Sequence, residues 1–136
     1  MAYSAKTMEA RFRRNWRPYA RHIVSESGRD SYFSRQVEPL DGEIEVLKFE
    51  RDEETWTSLT NLRLIGKLDG RLSSHFLNGE EVRVSYLDRT MAVVENKEDY
   101  RTIFAIRLND DDSHTFSVDA EKAFALANVI NHLVGE

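Results

Sequence analysis

Cysteine is missing from all 136 residues, so no disulfide, thiolate metal site or cysteine nucleophile can form. A reducing, cytoplasmic setting is therefore expected. Long apolar runs are missing too. Nothing approaches the ~20 residues of a membrane span, and the opening MAYSAKTMEARFRRNWRPYARH lacks the apolar stretch of a secretory signal. Its arginines have the charge of a mitochondrial presequence, but Glu9 with the nearby tyrosines and tryptophan argues against one. Glycine is scarce: six residues stand singly, read as turn positions, which leaves no glycine-rich phosphate loop. Catalytic text is absent as well. The four histidines, His22, His75, His114 and His132, stand in unrelated contexts with no GxSxG-type elbow. The expectation is a protein with no cofactor, no metal and no catalytic residues.

What remains is ordinary core-forming material: 40% hydrophobic and 32% charged residues, with 14 aromatics. A chain of this size buries roughly two-thirds of its extended surface as one domain, here residues 1–136. Its net charge of −5 conceals a division. Residues 1–35 hold 8 Lys/Arg against 3 Asp/Glu, and residues 36–136 hold 11 against 21. The acidic body repels phosphates, so nucleic acid is expected only through the basic N-terminal segment.

That segment has helical periodicity. Met8, Phe12, Trp16, Tyr19 and Ile23 share one face of a helix over residues 8–25, which Pro18 should kink near Arg17. Arg11, Arg13, Arg14, Arg17 and Arg21 surround that stripe, an arrangement suited to nucleic acid or to docking on the acidic body. Docking is the expectation, because aromatic burial outweighs exposed ion pairs. The tract SESGRDS, residues 25–31, then breaks the pattern.

From residue 41 the period becomes two. GEIEVLKFERD reads as a strand entered through Asp41-Gly42, with Ile44 and Val46 and then, after a slip, Leu47 and Phe49 on the covered face. TWTSLT and LRLIGKL form a hairpin turning at Thr60-Asn61, where Asn tolerates the left-handed conformation. Leu59, Leu62 and Leu64 should face inward, with Asn61 and Arg63 outward. Asp69-Gly70 and Asn78-Gly79 mark further turns. Val82, Val84 and Tyr86 alternate, as do Met91 and Val93, and then Tyr100, Thr102, Phe104 and Ile106. NDDDS, residues 109–113, must turn into a strand from His114 to Val118. Asp119 as N-cap opens a final helix of about four turns ending at Gly135, apolar over nearly half its circumference. About seven short antiparallel strands and one amphipathic helix predict an α+β fold: a bent sandwich or barrel plugged by the helix.

This order of elements resembles the pleckstrin-homology superfold, and Leu59, Thr60, Asn61, Arg63, Leu64 and Ile65 are similar to a motif of its bacterial PH-like and GRAM-like members. IFAIRLNDDDSHTFSVDAEKAFALANVI carries a second similarity, and together they cover about residues 40–134. The resemblance implies phosphoinositide recognition by basic residues at the first hairpin. ERDEET, residues 50–55, departs from that pattern, since each close like-charge pair with a polyanion is unfavourable by about 1 kcal/mol even near water's dielectric constant.

The acidic segments instead suit a basic protein. Glu50, Asp52, Glu53 and Glu54, Asn61 and Arg63, and Asp110, Asp111 and Asp112 are the candidate partner-binding residues. The Asp triplet with His114 also has the donor types for a hard cation, but the glycine and distal glutamate of a calcium loop are missing, and a solvated turn explains it better. The functional expectation is a non-catalytic protein-binding module of PH-like fold. The alternative is an immunity or inhibitor protein neutralising a basic toxin or nuclease.

Overall fold

The Ser4 hydroxyl accepts the Thr7 N–H at 3.3 Å and starts the first helix, α1 (Ala5–Asn15). The computed structural model describes residues 3–15, 22–88, 103–119 and 122–131. Met8 and Phe12, four residues apart, are fully buried, and the Phe12 ring meets Phe49 edge-on at 6.3 Å between centroids. Trp16, Pro18 and Tyr19 lie outside the described residues. A single helical turn, α2 (Val24–Ser27), follows, and Glu26 within it accepts from Arg13 of α1 at 2.5 Å. The capping box of Ser31 and Ser34 then opens α3 (Tyr32–Gln36).

Four strands follow as an antiparallel meander: β1 (Glu45–Asp52), β2 (Thr55–Thr60), β3 (Arg63–Leu68) and β4 (Arg71–Phe76). The slip in the hydrophobic period of β1 is real, because pairing shifts from Glu45–Thr60 to Leu47–Leu59 and leaves Val46 as an extra residue. Ile44 lies before the strand and is exposed, contrary to its expected place on the covered face. Asp69 and Gly70 both adopt positive φ, 49° and 84°, the form a tight two-residue hairpin needs. β4 has no counterpart among the expected strands, since RLSSHF neither alternates nor buries a large residue.

All six residues of β2 are buried. The Leu59 face belongs to the main core, while Trp56 and Ile65 on the other face are covered by Phe33, Tyr32 and Val37. The sequence pattern alone predicts cover on one side only. Gly66 stands within β3 rather than in a turn. A Cβ there would lie 2.6 Å from the Trp56 carbonyl oxygen and 2.9 Å from Thr57 Oγ1, so only glycine permits this approach of β2 and β3.

The second sheet has the order β5 (Val84–Asp88), β6 (Ile103–Leu108), β7 (Thr115–Ser117). The expected strand at Met91 and Val93 lies outside the described residues. β7 packs on β2 and β3, where Thr57 Oγ1 and Ser117 Oγ are 3.2 Å apart, while β4 lies at the edge of the first sheet. A three-residue strand seated on the face of the first sheet extends no ladder from its edge. Among the described residues the fold is thus α+β with seven antiparallel strands in two packed sheets, and these do not close into a barrel.

The last helix, α4 (Ala123–Asn131), buries Leu126, Val129 and Ile130 in the main core and packs against α1 and β6. Asp119 precedes it, its carbonyl accepting the Lys122 N–H at 2.8 Å. Ala120, Glu121 and residues 132–136 lie outside the described residues. Among the described residues no helix is long and apolar enough to cross a membrane.

Candidate functional site

The β2–β3 turn is built from side chains rather than from an unusual backbone. Asn61 does not adopt positive φ. Instead its Oδ1 accepts the Ile44 N–H at 2.7 Å and its Nδ2 donates to the Gly42 carbonyl at 3.1 Å. Its backbone N–H reaches the Ile44 carbonyl at 3.0 Å, and its carbonyl accepts from Tyr3 at 2.9 Å. Thr60 Oγ1 accepts the N–H groups of Leu62 and Arg63 at 3.1 and 3.0 Å, and donates to Glu43 Oε2 at 2.8 Å. These bonds satisfy backbone groups that the sharp bend would otherwise leave unpaired.

Arg63 completes this turn. Its Nε and Nη2 donate to the two oxygens of Glu43 at 2.8 and 2.9 Å, a bidentate pair. The Glu43 side chain is fully buried and that of Arg63 is 11% exposed. The expectation of outward-facing Asn61 and Arg63 is corrected: both are buried. The reason is chemical, since guanidinium and amide can face inward when carboxylate and backbone partners satisfy them there. Burial alone would push the Glu43 carboxyl up, but bonds from Arg63, the Leu40 N–H and Thr60, with the guanidinium charge, hold it below its ordinary value. Glu45, two residues on, goes the other way. Burial pushes its carboxyl up, although the Ser58 and Ser31 hydroxyls both donate to it.

The opposite end of the first sheet is acidic and open. The β1–β2 and β3–β4 turns lie together there, joined by the Gly70 N–H to the Glu54 carbonyl at 2.9 Å and by Asp69 N–H to Thr55 Oγ1 at 3.3 Å. Asp52, Glu53, Glu54 and Asp69 are all exposed. Among the described residues no cation lies within ion-pair distance of these four carboxylates. Asp52 turns one oxygen to the Glu54 N–H at 2.8 Å, and the Glu53 carbonyl accepts from Gln36 Nε2 at 2.9 Å, which fixes the turn. Glu50 does not join them, because its carboxylate accepts the Tyr32 N–H at 2.7 Å, at the start of α3. Asp69 belongs to this end although it is not among the residues the sequence singles out. Its signal, an acidic residue in an Asp-Gly turn, speaks first for turn geometry.

Asp110, Asp111 and Asp112 lie elsewhere, in the β6–β7 turn, and are already engaged. Asp110 pairs with Arg83 at 3.1 Å and Asp112 with Arg107 at 3.0 Å. Asp111 Oδ1 accepts the N–H and hydroxyl of Ser113 at 2.9 and 2.6 Å, and these bonds hold its carboxyl below the usual range. The oxygens of the triplet therefore do not converge on a cation. This turn sits beside His75, four residues along β4 from Arg71, about 13 Å at strand spacing. The two acidic runs are thus two separate surfaces.

Histidine placement departs from the sequence reading. His75 on β4 and His114, immediately before β7, bring their Nδ1 atoms to 3.4 Å, across 39 positions of sequence. Burial first, and the neighbouring His114 second, push the His75 imidazole down. His22 is buried against Phe49, its rings stacked at 4.9 Å between centroids. It donates from Nδ1 to the Lys48 carbonyl at 3.1 Å, and its Nε2 faces Asp119 Oδ2 at 3.1 Å. Lys48 Nζ, on the same strand, donates to the carbonyls of Gly28 and Asp30 at 3.2 and 3.1 Å. The cleft of about 330 Å³ beside them is lined by His22, Ser27, Lys48, Glu50 and Asp119, and the Ser27 hydroxyl in it donates to the Ile23 carbonyl. These groups bind each other and the backbone rather than forming a nucleophile–base chain. Among the described residues no three His, Cys, Asp or Glu side chains are grouped so as to hold a metal ion.

No protein-family model, no curated protein and no solved structure matches the chain. The functional reading rests on the chemistry of its surfaces.

Proposed function

We propose that the chain is a non-catalytic, cytoplasmic protein-binding module of PH-like fold, and that it offers the acidic end of its first sheet to a basic partner. One observation carries this reading: Asp52, Glu53, Glu54 and Asp69 stand exposed on two rigid, hydrogen-bonded turns with no cation of the described residues paired to them. Carboxylates carried on turns fixed in this way attract a basic surface at long range, and the backbone beneath them loses little freedom on docking. The Asp110–Asp112 turn is withdrawn from the partner-binding set, because Asp110 is paired with Arg83, Asp112 with Arg107, and Asp111 is hydrogen-bonded to Ser113. Asn61 and Arg63 are withdrawn as well, since their polar atoms serve the turn. An inhibitor of a basic toxin or nuclease would use the same acidic end and is the narrower form of the reading.

The test is capture from lysate at low and high salt, with wild-type protein beside an Asp52→Asn/Glu53→Gln/Glu54→Gln variant. A basic protein retained at low salt, released at high salt and lost with the variant supports the reading. Capture that the variant leaves undiminished, or recovery of nucleic acid alone, defeats it.

A further inference from the structure

The contact between His75 and His114 is independent of the acidic end and has a geometry of its own. Two imidazole nitrogens bound to zinc at ~2.0–2.1 Å and a tetrahedral angle are separated by about 3.4 Å. The two Nδ1 atoms stand at 3.4 Å. Rings held that way on one metal place their centroids about 5.2 Å apart, and these stand at 5.1 Å with planes inclined at 74°. We infer that His75 and His114 form a two-imidazole clip for a borderline divalent cation, zinc above all, that joins the two sheets.

Each donor sits on ordered backbone of a different sheet. His75 is on β4, paired opposite Leu64 of β3. His114 ends the short helical turn Asp112–His114, whose N–H bonds to the Asp111 carbonyl at 2.9 Å, and leads directly into β7. Both rings are half-buried, so an ion reaches them from solvent while their directions stay fixed. Asp111 offers a further oxygen: its Oδ2 lies 3.9 Å from His114 Nδ1, while its Oδ1 is occupied by Ser113. The protein thus presets two nitrogen donors, with water and a small shift of Asp111 completing the shell. Nitrogen donors select zinc, nickel or copper over calcium and magnesium. Binding moves a proton only between ring nitrogens: the imidazole that donates from Nδ1 in the metal-free contact carries its proton on Nε2 in the complex.

The test uses untagged, full-length protein titrated with zinc chloride, followed by calorimetry, thermal unfolding and imidazole nitrogen NMR, with magnesium and calcium as comparison ions. The expected result is saturation at one zinc per chain, a higher unfolding midpoint, and NMR showing two rings coordinated through Nδ1. His75→Gln and His114→Gln should each weaken zinc binding about tenfold or more, whereas Asp110→Asn should retain it. Absence of saturable zinc uptake by the wild type overturns the inference. So does wild-type NMR in which neither ring is coordinated, a readout that needs no variant to fold. Undiminished zinc binding by both histidine variants also overturns it, and the contact is then a plain hydrogen bond.

Discussion

The two ends of the first sheet use the same residue types in opposite ways. At the β2–β3 turn, Glu43, Thr60, Asn61 and Arg63 direct their polar atoms inward and leave almost nothing for a partner. At the other end Asp52, Glu53, Glu54 and Asp69 stand exposed, tied down through their backbones and, at Asp52, through one carboxylate oxygen that accepts the Glu54 N–H. Charge in a sequence therefore does not report charge on a surface. Whether a buried counter-ion is within reach decides it.

The sharpest way to break this contrast is Arg63→Ala, which leaves the Glu43 carboxylate buried without its partner. Unfolding stability should fall by about 3 to 5 kcal/mol, read by denaturant titration, and Glu43→Gln combined with Arg63→Met should recover part of that loss. A loss under about 1 kcal/mol would mean that the turn does not depend on the pair. Gly66→Ala comes next. Its added methyl meets the Trp56 carbonyl and Thr57, for an expected loss of about 1 to 3 kcal/mol by the same measurement.

Acid titration separates Glu43 from Glu45. Glu43 ionises more easily folded than unfolded, so its contribution is complete above the ordinary carboxylate value and is lost as pH falls through its lowered folded value. Glu45 holds its proton more tightly folded, so its contribution declines as pH rises from the ordinary value through the raised one. Unfolding midpoints from about pH 3 to 7 should lose the acid-side fall in Glu43→Gln and the decline toward neutrality in Glu45→Gln. If either variant tracks the wild type across that range, the corresponding carboxyl is not perturbed by folding.

The smallest stability effect belongs to the open end. Neutralising Asp52, Glu53 and Glu54 together should change stability by no more than about 0.5 kcal/mol while abolishing salt-sensitive capture of a basic partner. A large destabilisation would place those carboxylates in the same class as Glu43 and remove the contrast.

Much of the local structure is legible in the sequence. The Asp69-Gly70 turn follows from residues that accept positive φ, and the slip between Val46 and Leu47 marks a bulge because side chains alternate strictly along a strand. β4 is not legible, since an edge strand whose Leu72 and Phe76 are both exposed has no burial pattern to betray it. The cover that α3 gives β2 is equally hidden, because the pairing of Phe33 with Trp56 joins residues far apart in the chain. The candidate site is legible in part. ERDEET marks the open acidic end, but Asp69, whose local text speaks only for a turn, joins it through the hairpin pairing.

By itself the sequence determined where this chain turns, which residues must leave water, and that its body is acidic, because these depend on backbone preference and side-chain chemistry within a few positions. Tertiary structure alone decided which charges are consumed. Arg63 meets Glu43 twenty positions away through strand pairing within the first sheet, and His75 meets His114 across thirty-nine where the two sheets stack; no local period records either encounter.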